Sequence, residues 1–500
     1  MKRITYRTSI TDANSIFCHQ FIAGPDFVEG LDSWKYLEVA EQLRITSHPE
    51  LEVQQVTKGV SSLTLVGHML DTDDPTANNG KILEQLVSQF TDIDALVESC
   101  STYGGRWLII AVQGEDKYLF SDALGLRQVF YTDATISDSV WLVSQAGLAK
   151  QLFNLDVDSI TQTFINSPQF SSYPEYSWPG FGTPFSQLRH LLPNHYLHIN
   201  TRIHYRYWPK RQIEHIQFDE AVEDLSRRIQ NTVGAVVNRF DNVVLGITAG
   251  LDSRLILAAS KKWRDKIGYV TVQQASMTDD HQDIAVPHIL LGKLGLPHTV
   301  VRAMPSMSAE FSDLFKENVF LAHEHYGPDA EALLNLYNRA TVAMTGSGAE
   351  VGRCPFRWGA SDSDVTAERL AALDNKPESE YAASRFREWL ADIDNACNVG
   401  ILDLFSWENG HGNWLAMTQL EFDIAWREII TPYNCRSILT TMLAVDEKHR
   451  RRPQFKLANA IMRTMWPEVL TEPVNPAGRQ RRSLFGYIKR AIRKSVSVFQ

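Results

Sequence analysis

The stretch VVLGITAGLDSRLILAA, residues 243 to 259, constrains this chain more than any other. Apolar Val243 to Leu245 run into small and polar residues, Thr248-Ala249-Gly250-Leu251-Asp252-Ser253, and an apolar-periodic segment follows. That order reads as a buried strand, a tight loop and a helix. Small side chains at 248 to 250 let main-chain N–H groups approach an anion such as phosphate, and the helix N-terminus adds its partial positive charge. Asp252 would repel a phosphate, so a divalent metal between the two is the economical arrangement. The same residues also suit an ordinary strand-to-helix turn with Asp252 or Ser253 as N-cap. Alone, the stretch does not choose.

With 500 residues, 44% hydrophobic and 22% charged, the chain has room for more than one domain core of ordinary soluble composition. No run is long enough for a membrane span. The start, MKRITYRTSITDANS, lacks the apolar core of a secretory signal, so a cytoplasmic protein is expected. Cys18, Cys100, Cys354, Cys397 and Cys435 are widely spaced and form no CxxC pair, against a zinc ribbon, thiol redox motif or disulfide framework. A net charge of −10 argues against nucleic acid as a partner.

Residues 1–205 read as strands and turns: 63–70, 106–112, 117–123, 128–132 and 140–145 are strand-like, and about 80–90 is an amphipathic helix. This is an α+β layered sandwich. After the polar, aromatic connection 203–220 the pattern changes to a long helix at 221–240, then strands at 243, 267–273, 298–303 and 341–346 alternating with helices. That alternation predicts a doubly wound parallel α/β sheet, its ligand beyond the carboxyl ends of the strands, where loops 248–253 and 345–352 converge. From about 363 the chain reads as mostly helical.

TAGLDS at 248–253, TGSGAEV at 345–351, YGGRWLIIAV at 103–112 and YLFSDALGLRQVFYT at 118–132 together resemble the asparagine synthetase family. Its ATP loop is SGGxDS, and its second loop, roughly SGxGxDE, follows about 100 residues later in the same strand-then-loop setting. The resemblance implies an Ntn-type αββα sandwich of class II glutamine amidotransferase kind over 1–205. It further implies an ATP-pyrophosphatase domain, adenine nucleotide α-hydrolase-like, over 206–478, and leaves a basic tail at 479–500. It implies ATP and Mg2+ as cofactors. Thr248, Ala249, Gly250, Leu251, Asp252, Ser253, Val272, Thr345, Gly346, Ser347 and Gly348 would face the nucleotide, and Asp252 and Glu350 would hold the metal. Glu350 also suits a solvated loop charge. The implied reaction attaches AMP to a carboxylate, releases pyrophosphate and lets ammonia or an amine take the acyl group.

The chain departs from the family at three places. Lys2 stands where the amidotransferase nucleophile, a cysteine after the initiator methionine, would be. Cys18 could act only after removal of the residues before it, so glutamine hydrolysis is not expected, as in the β-lactam synthetases that resemble the family. Ser347 stands where the family has Glu or Tyr, and serine is a poor acid or base. Val474-Asn475 stand where a pyrophosphate-neutralising lysine would fall, leaving Arg353, Arg357 or Lys456 as substitutes, each of which also suits a surface charge. Lys456 and Arg254 join Asp252 as candidate catalytic residues, although Arg254 could equally lie along its helix.

Asp283 is either a site acid or a turn acid. FSWENGHGNW (405–414), with Trp407, Glu408, His411, Asn413 and Trp414, and TPYNCRS (431–437) are polar and aromatic enough to line an acceptor pocket, or to form a buried network between helices. His323 and His325 lack a third ligand for zinc and suit a pocket wall. The basic, apolar-interleaved 479–495 either lies on an anionic membrane surface or packs as a helix on an acidic protein. The expectation is an AMP-forming amide ligase acting on a small-molecule or carrier-linked carboxylate with ammonia or an amine. A homodimer is compatible with it. Its rival is a catalytically degenerate ATP-binding regulator or scaffold.

Overall fold

Along the strand Tyr103–Gln113 apolar side chains alternate in destination, which sets the layering of the first half of the chain. Trp107, Ile109 and Ala111 join Ile82, Leu83 and Leu86 of the helix Asn79–Gln89 and Leu96 and Val97 of the helix Ile93–Ser99. Leu108, Ile110 and Val112 face the other way, into Phe21, Ala23, Leu43, Ile45 and Leu142 of a second sheet. The outer face of that sheet is closed by Leu148 and Ala149 of the helix Ala146–Phe153 against Ile22 and Trp141. Two six-stranded antiparallel sheets between helices make an αββα sandwich, as the sequence predicted. The computed structural model describes residues 4–5, 15–31, 33–171, 173–356, 362–393 and 396–476. Lys2, Arg357 and the basic segment 479–495 lie outside them.

The second half is built on a five-stranded parallel sheet in the spatial order Thr299–Arg302, Ile267–Gln273, Val243–Gly246, Val342–Met344, Glu428–Ile430. Its strands are apolar on both faces because both are covered. Val243, Leu245 and Met344 pack with the helices Phe218–Arg239, Leu251–Ala259 and Lys456–Met465, while Val244, Ala343 and Val270 pack with Ala309–Asn318 and Gly327–Tyr337. The sheet is therefore doubly wound. The next strand in sequence lies on one side of Val243–Gly246 and Val342–Met344 lies on the other, so the strand order reverses there and opens a crevice at the carboxyl ends. The edge strand Glu428–Ile430 was not foreseen. Among the described residues no helix is long and apolar enough to cross a membrane.

The sandwich is fastened to this sheet by buried charge. Arg106 Nη1 and Nη2 donate to Asp423 Oδ1 and Oδ2 at 2.5 and 2.9 Å, and Nη1 also reaches Glu428 Oε1 at 3.1 Å. Arg127 pairs with the other Glu428 oxygen. Burial raises both carboxyl groups. At Glu428 the Arg127 and Arg106 charges outweigh burial and hold it low, whereas at Asp423 burial wins.

A second junction joins Arg206 to Glu408, with Nη2 to Oε2 at 2.9 Å, while Asp392 accepts from Arg206 Nε at 3.0 Å and contacts His195 Nε2 at 2.7 Å. Burial would raise the Glu408 and Asp392 carboxyls, but the arginine and histidine contacts hold both below their ordinary values of 4.5 and 3.8. Carboxylates depressed on folding contribute stability above those ordinary values and lose it as pH falls below them. The urea midpoint is expected to fall steeply below about pH 4.5, and Glu408→Gln to flatten that limb. Parallel acid limbs would assign the loss elsewhere.

Candidate active site

Leu245 and Met344 are register partners in adjacent parallel strands, so the loops after them leave the sheet side by side. They touch without a spacer: a Cβ on Gly346 would lie 2.4 Å from Ser253 N, so only glycine fits. Gly348, at φ +96°, lets the second loop turn beneath Leu124 of the sandwich. Thr345 Oγ1 lies 3.1 Å from Thr431 Oγ1, which ties this loop to the end of the edge strand. Val272, half-buried, pairs with Val301 near the end of its strand.

The contact brings Asp252 and Glu350 onto one arginine. Arg353 Nη2 donates to Asp252 Oδ2 at 2.7 Å and lies 3.3 Å from Glu350 Oε1. Glu350 Oε2 accepts from Gly348 N at 3.0 Å and lies 3.5 Å from His411 Nε2. Burial pushes the Asp252 carboxyl well above the usual range, the Glu350 charge adding to it against Arg353. Burial acts the same way on Glu350, but the His411 hydrogen bond and the Arg353 charge hold it low. Beside them the Tyr433 hydroxyl is buried without a hydrogen-bond partner among the described residues. A buried orphan hydroxyl next to two carboxylates and an arginine fits a polar ligand bearing oxygens.

The first loop differs in detail from its reading. N–H groups at 248, 249 and 250 do not all face outward: they donate to Ser253 Oγ, Asp283 Oδ1 and Thr248 Oγ1 at 3.2, 2.9 and 3.1 Å. Asp283 is thus a loop-fastening acid. The first turn of the helix Leu251–Ala259 gets no side-chain cap from its N-cap Gly250, and Gly346 of the second loop packs against it. Arg254 lies on the helix Leu251–Ala259. It is buried and donates to the carbonyls of Glu472 and Pro473, the latter at 3.1 Å, holding a segment whose Asn475 N–H bonds Ala249 O at 2.9 Å. The position where a lysine was missed does lie on the loop, and it presents an asparagine.

Ser347 is half-buried in the second loop, and Lys456 is exposed at the start of the helix Lys456–Met465. The better-placed cations are Arg353 and Arg452, whose guanidinium carbons lie 5.6 and 5.8 Å from the Phe455 ring centre. The charges of Arg353 and Asp252 both act on Arg452, which sequence reasoning missed. Lys456→Ala is expected to keep turnover within about twofold, and Arg353→Ala to lose about 10²-fold. Steady-state kinetics of the two variants decide between them.

Of the polar-aromatic run at 405–414, three members serve the junction. Trp407 Nε1 donates to Ala123 O, Glu408 pairs with Arg206, and Asn413 contacts His190 Nδ1 at 2.8 Å. His411 Nε2 lies 3.5 Å from Glu350 Oε2, and Trp414 Nε1 donates to Glu175 Oε2 at 2.8 Å. His323 is buried against Glu421, with Nδ1 at 2.9 Å from Oε1. A cavity of about 690 Å³ near Asn242, Lys266 and Tyr337 opens at the amino ends of the strands, away from these loops.

A doubly wound sheet with paired loops at its switch point, roofed by an αββα sandwich, defines the class of chain. No protein-family model and no curated protein matches it. Among solved structures it is similar to glutamine-dependent NAD+ synthetase from Acinetobacter baumannii, at 15% identity over 32% of this chain and 30% of that one, TM-score 0.19. It is also similar to glutamine phosphoribosylpyrophosphate amidotransferase from B. subtilis, at 11% identity over 61% and 87%, TM-score 0.23. The chain thus spans under a third of the synthetase's length, and likenesses of this size carry no argument about mechanism.

Proposed function

We propose that the chain is an ATP-dependent, AMP-forming ligase that activates a carboxylate and passes the acyl group to an amine or ammonia. One observation carries the reading: Asp252 and Glu350, from two loops at a sheet switch point, share Arg353 beside an orphaned Tyr433 hydroxyl and an uncapped helix N-terminus. Two carboxylates are the protein share of a magnesium site completed by phosphate oxygens and water. Among the described residues no group of three or more His, Cys, Asp or Glu side chains could hold a metal unaided. Bound there, magnesium would supply Lewis-acid charge to the phosphates.

The chain's own groups divide the remaining work. The helix N-terminus and Arg353 attract the phosphates, Arg452 adds charge, and Tyr433 offers a hydroxyl donor. A substrate carboxylate oxygen attacks the α-phosphorus, pyrophosphate leaves, and the amine then attacks the acyl carbon, expelling AMP and losing a proton. Glutamine is not the nitrogen source in this reading. Cys18 is buried and its thiol is pushed up to about 12 by burial, the opposite of an activated nucleophile. The test is pyrophosphate release by the purified protein with ATP, magnesium and a carboxylate library. Carboxylate-dependent release is expected. ATP binding without turnover would favour the scaffold reading, and absence of both would end the proposal.

A further inference from the structure

The crevice has a wall that activation does not use. Glu175, from the chain beyond the short helix Pro168–Ser171, accepts hydrogen bonds from Tyr326 Oη at 2.7 Å and Trp414 Nε1 at 2.8 Å, with His325 Nε2 at 3.2 Å. Segments about 150 and 240 residues away thus converge on one carboxylate. The cluster is partly buried, with the Glu175 side chain 17% and His325 35% exposed. Burial would raise the Glu175 carboxyl, but the hydrogen bonds of His325, Tyr326 and Trp414 hold it below the usual range, and it is an anion at neutral pH.

Both rims of the crevice connect to it. Trp414 belongs to the π-helix Ser406–Leu415 that carries His411 to Glu350. Tyr326 leads into the helix Gly327–Tyr337, whose Asp329 accepts from Gln274 at 3.0 Å, directly beyond the strand Ile267–Gln273. An ionised carboxylate here repels both a substrate carboxylate and triphosphate. It attracts a cation, and an ammonium group can add a charge-assisted hydrogen bond to the carboxylate that Tyr326 and Trp414 hold in place. A carboxylate has about four lone-pair sites, so three donors leave room for one more.

We propose that Glu175, held by Tyr326 and Trp414, receives the ammonium group of an amine-bearing acceptor, the second substrate. This rests on the ligase reading for its purpose, and it commits to a primary amine on a larger molecule over free ammonia, which needs no such wall.

Ligand-observed NMR titration of the full chain with ethanolamine, glucosamine and lysine, each beside its N-acetyl counterpart, tests the site without ATP. At least one amine should saturate, its acetylated form should bind at least about tenfold weaker, and Glu175→Gln should lose a similar factor. Trp414→Phe, which keeps a ring but loses the indole N–H, should weaken binding severalfold with an unchanged melting curve. Saturation by no amine, or equal binding to wild type and Glu175→Gln, overturns the proposal. Amine binding in a protein that never releases pyrophosphate would refute the ligase reading and leave the amine site standing.

Discussion

Asp252→Asn is expected to lower magnesium-dependent turnover at least about 10³-fold while leaving the melting temperature unchanged or raised. The loss follows from removing one of two carboxylates that would hold the ion, a contribution of several kcal/mol to the transition state. The stability change has the opposite sign. Burial pushes the Asp252 carboxyl up and the Glu350 charge adds to it. A group whose pKa rises on folding stabilises the fold only when protonated, and its ionised form costs stability above its ordinary value of 3.8. Asparagine keeps the shape, removes that charge and leaves Arg353 its contact with Glu350. Turnover and thermal melting on the same preparation check both signs. Full activity would remove Asp252 from the metal site, and a melting temperature lowered by several degrees would make it structural.

The parts of this design legible in the sequence are those written in short range. The apolar run at 106–112 reads as a strand, which the fold buries on both faces, and Val243 to Ala259 folds as strand, loop and helix as read. The alternation of strands and helices placed both loops beyond the carboxyl ends of the sheet, and Gly346 brings them into contact. What stayed hidden depends on partners far along the chain. Glu408 in WENGHGNW suits an acceptor pocket or a buried network, and only the fold reveals its partner, Arg206, across the junction. Arg452 carries no motif, Tyr433 is one of several polar or aromatic residues in TPYNCRS, and Glu175 gains meaning only through Tyr326 and Trp414. The segment 406–415 falls in the part that reads as mostly helical, but its π-helical geometry carries no sequence signal. The N–H groups at 248 to 250 were assigned to an anion because a sequence does not reveal that Asp283 bonds one of them.

The largest stability effect is expected at the buried junction. Arg106→Met should cost about 3–5 kcal/mol, because Asp423 keeps no paired charge and Glu428 keeps only Arg127. The double variant Arg106→Met with Asp423→Leu should recover most of that loss. It leaves the Arg127–Glu428 pair balanced, and buried apolar replacements of an ion pair are often neutral. Urea midpoints for the two single variants and the double variant form a cycle, and an interaction term near zero would mean the charges do not act as a pair. Activity should follow the same order. Glu428 begins the edge strand whose next residues, Thr431 and Tyr433, reach the loops, so loosening the junction moves the Tyr433 hydroxyl away from Asp252 and Glu350. The single variant should therefore bind ATP more weakly even where it remains folded, and the double variant should regain affinity along with stability. Regained stability without regained affinity would separate the junction from the site and confine Arg106 to holding the layers together.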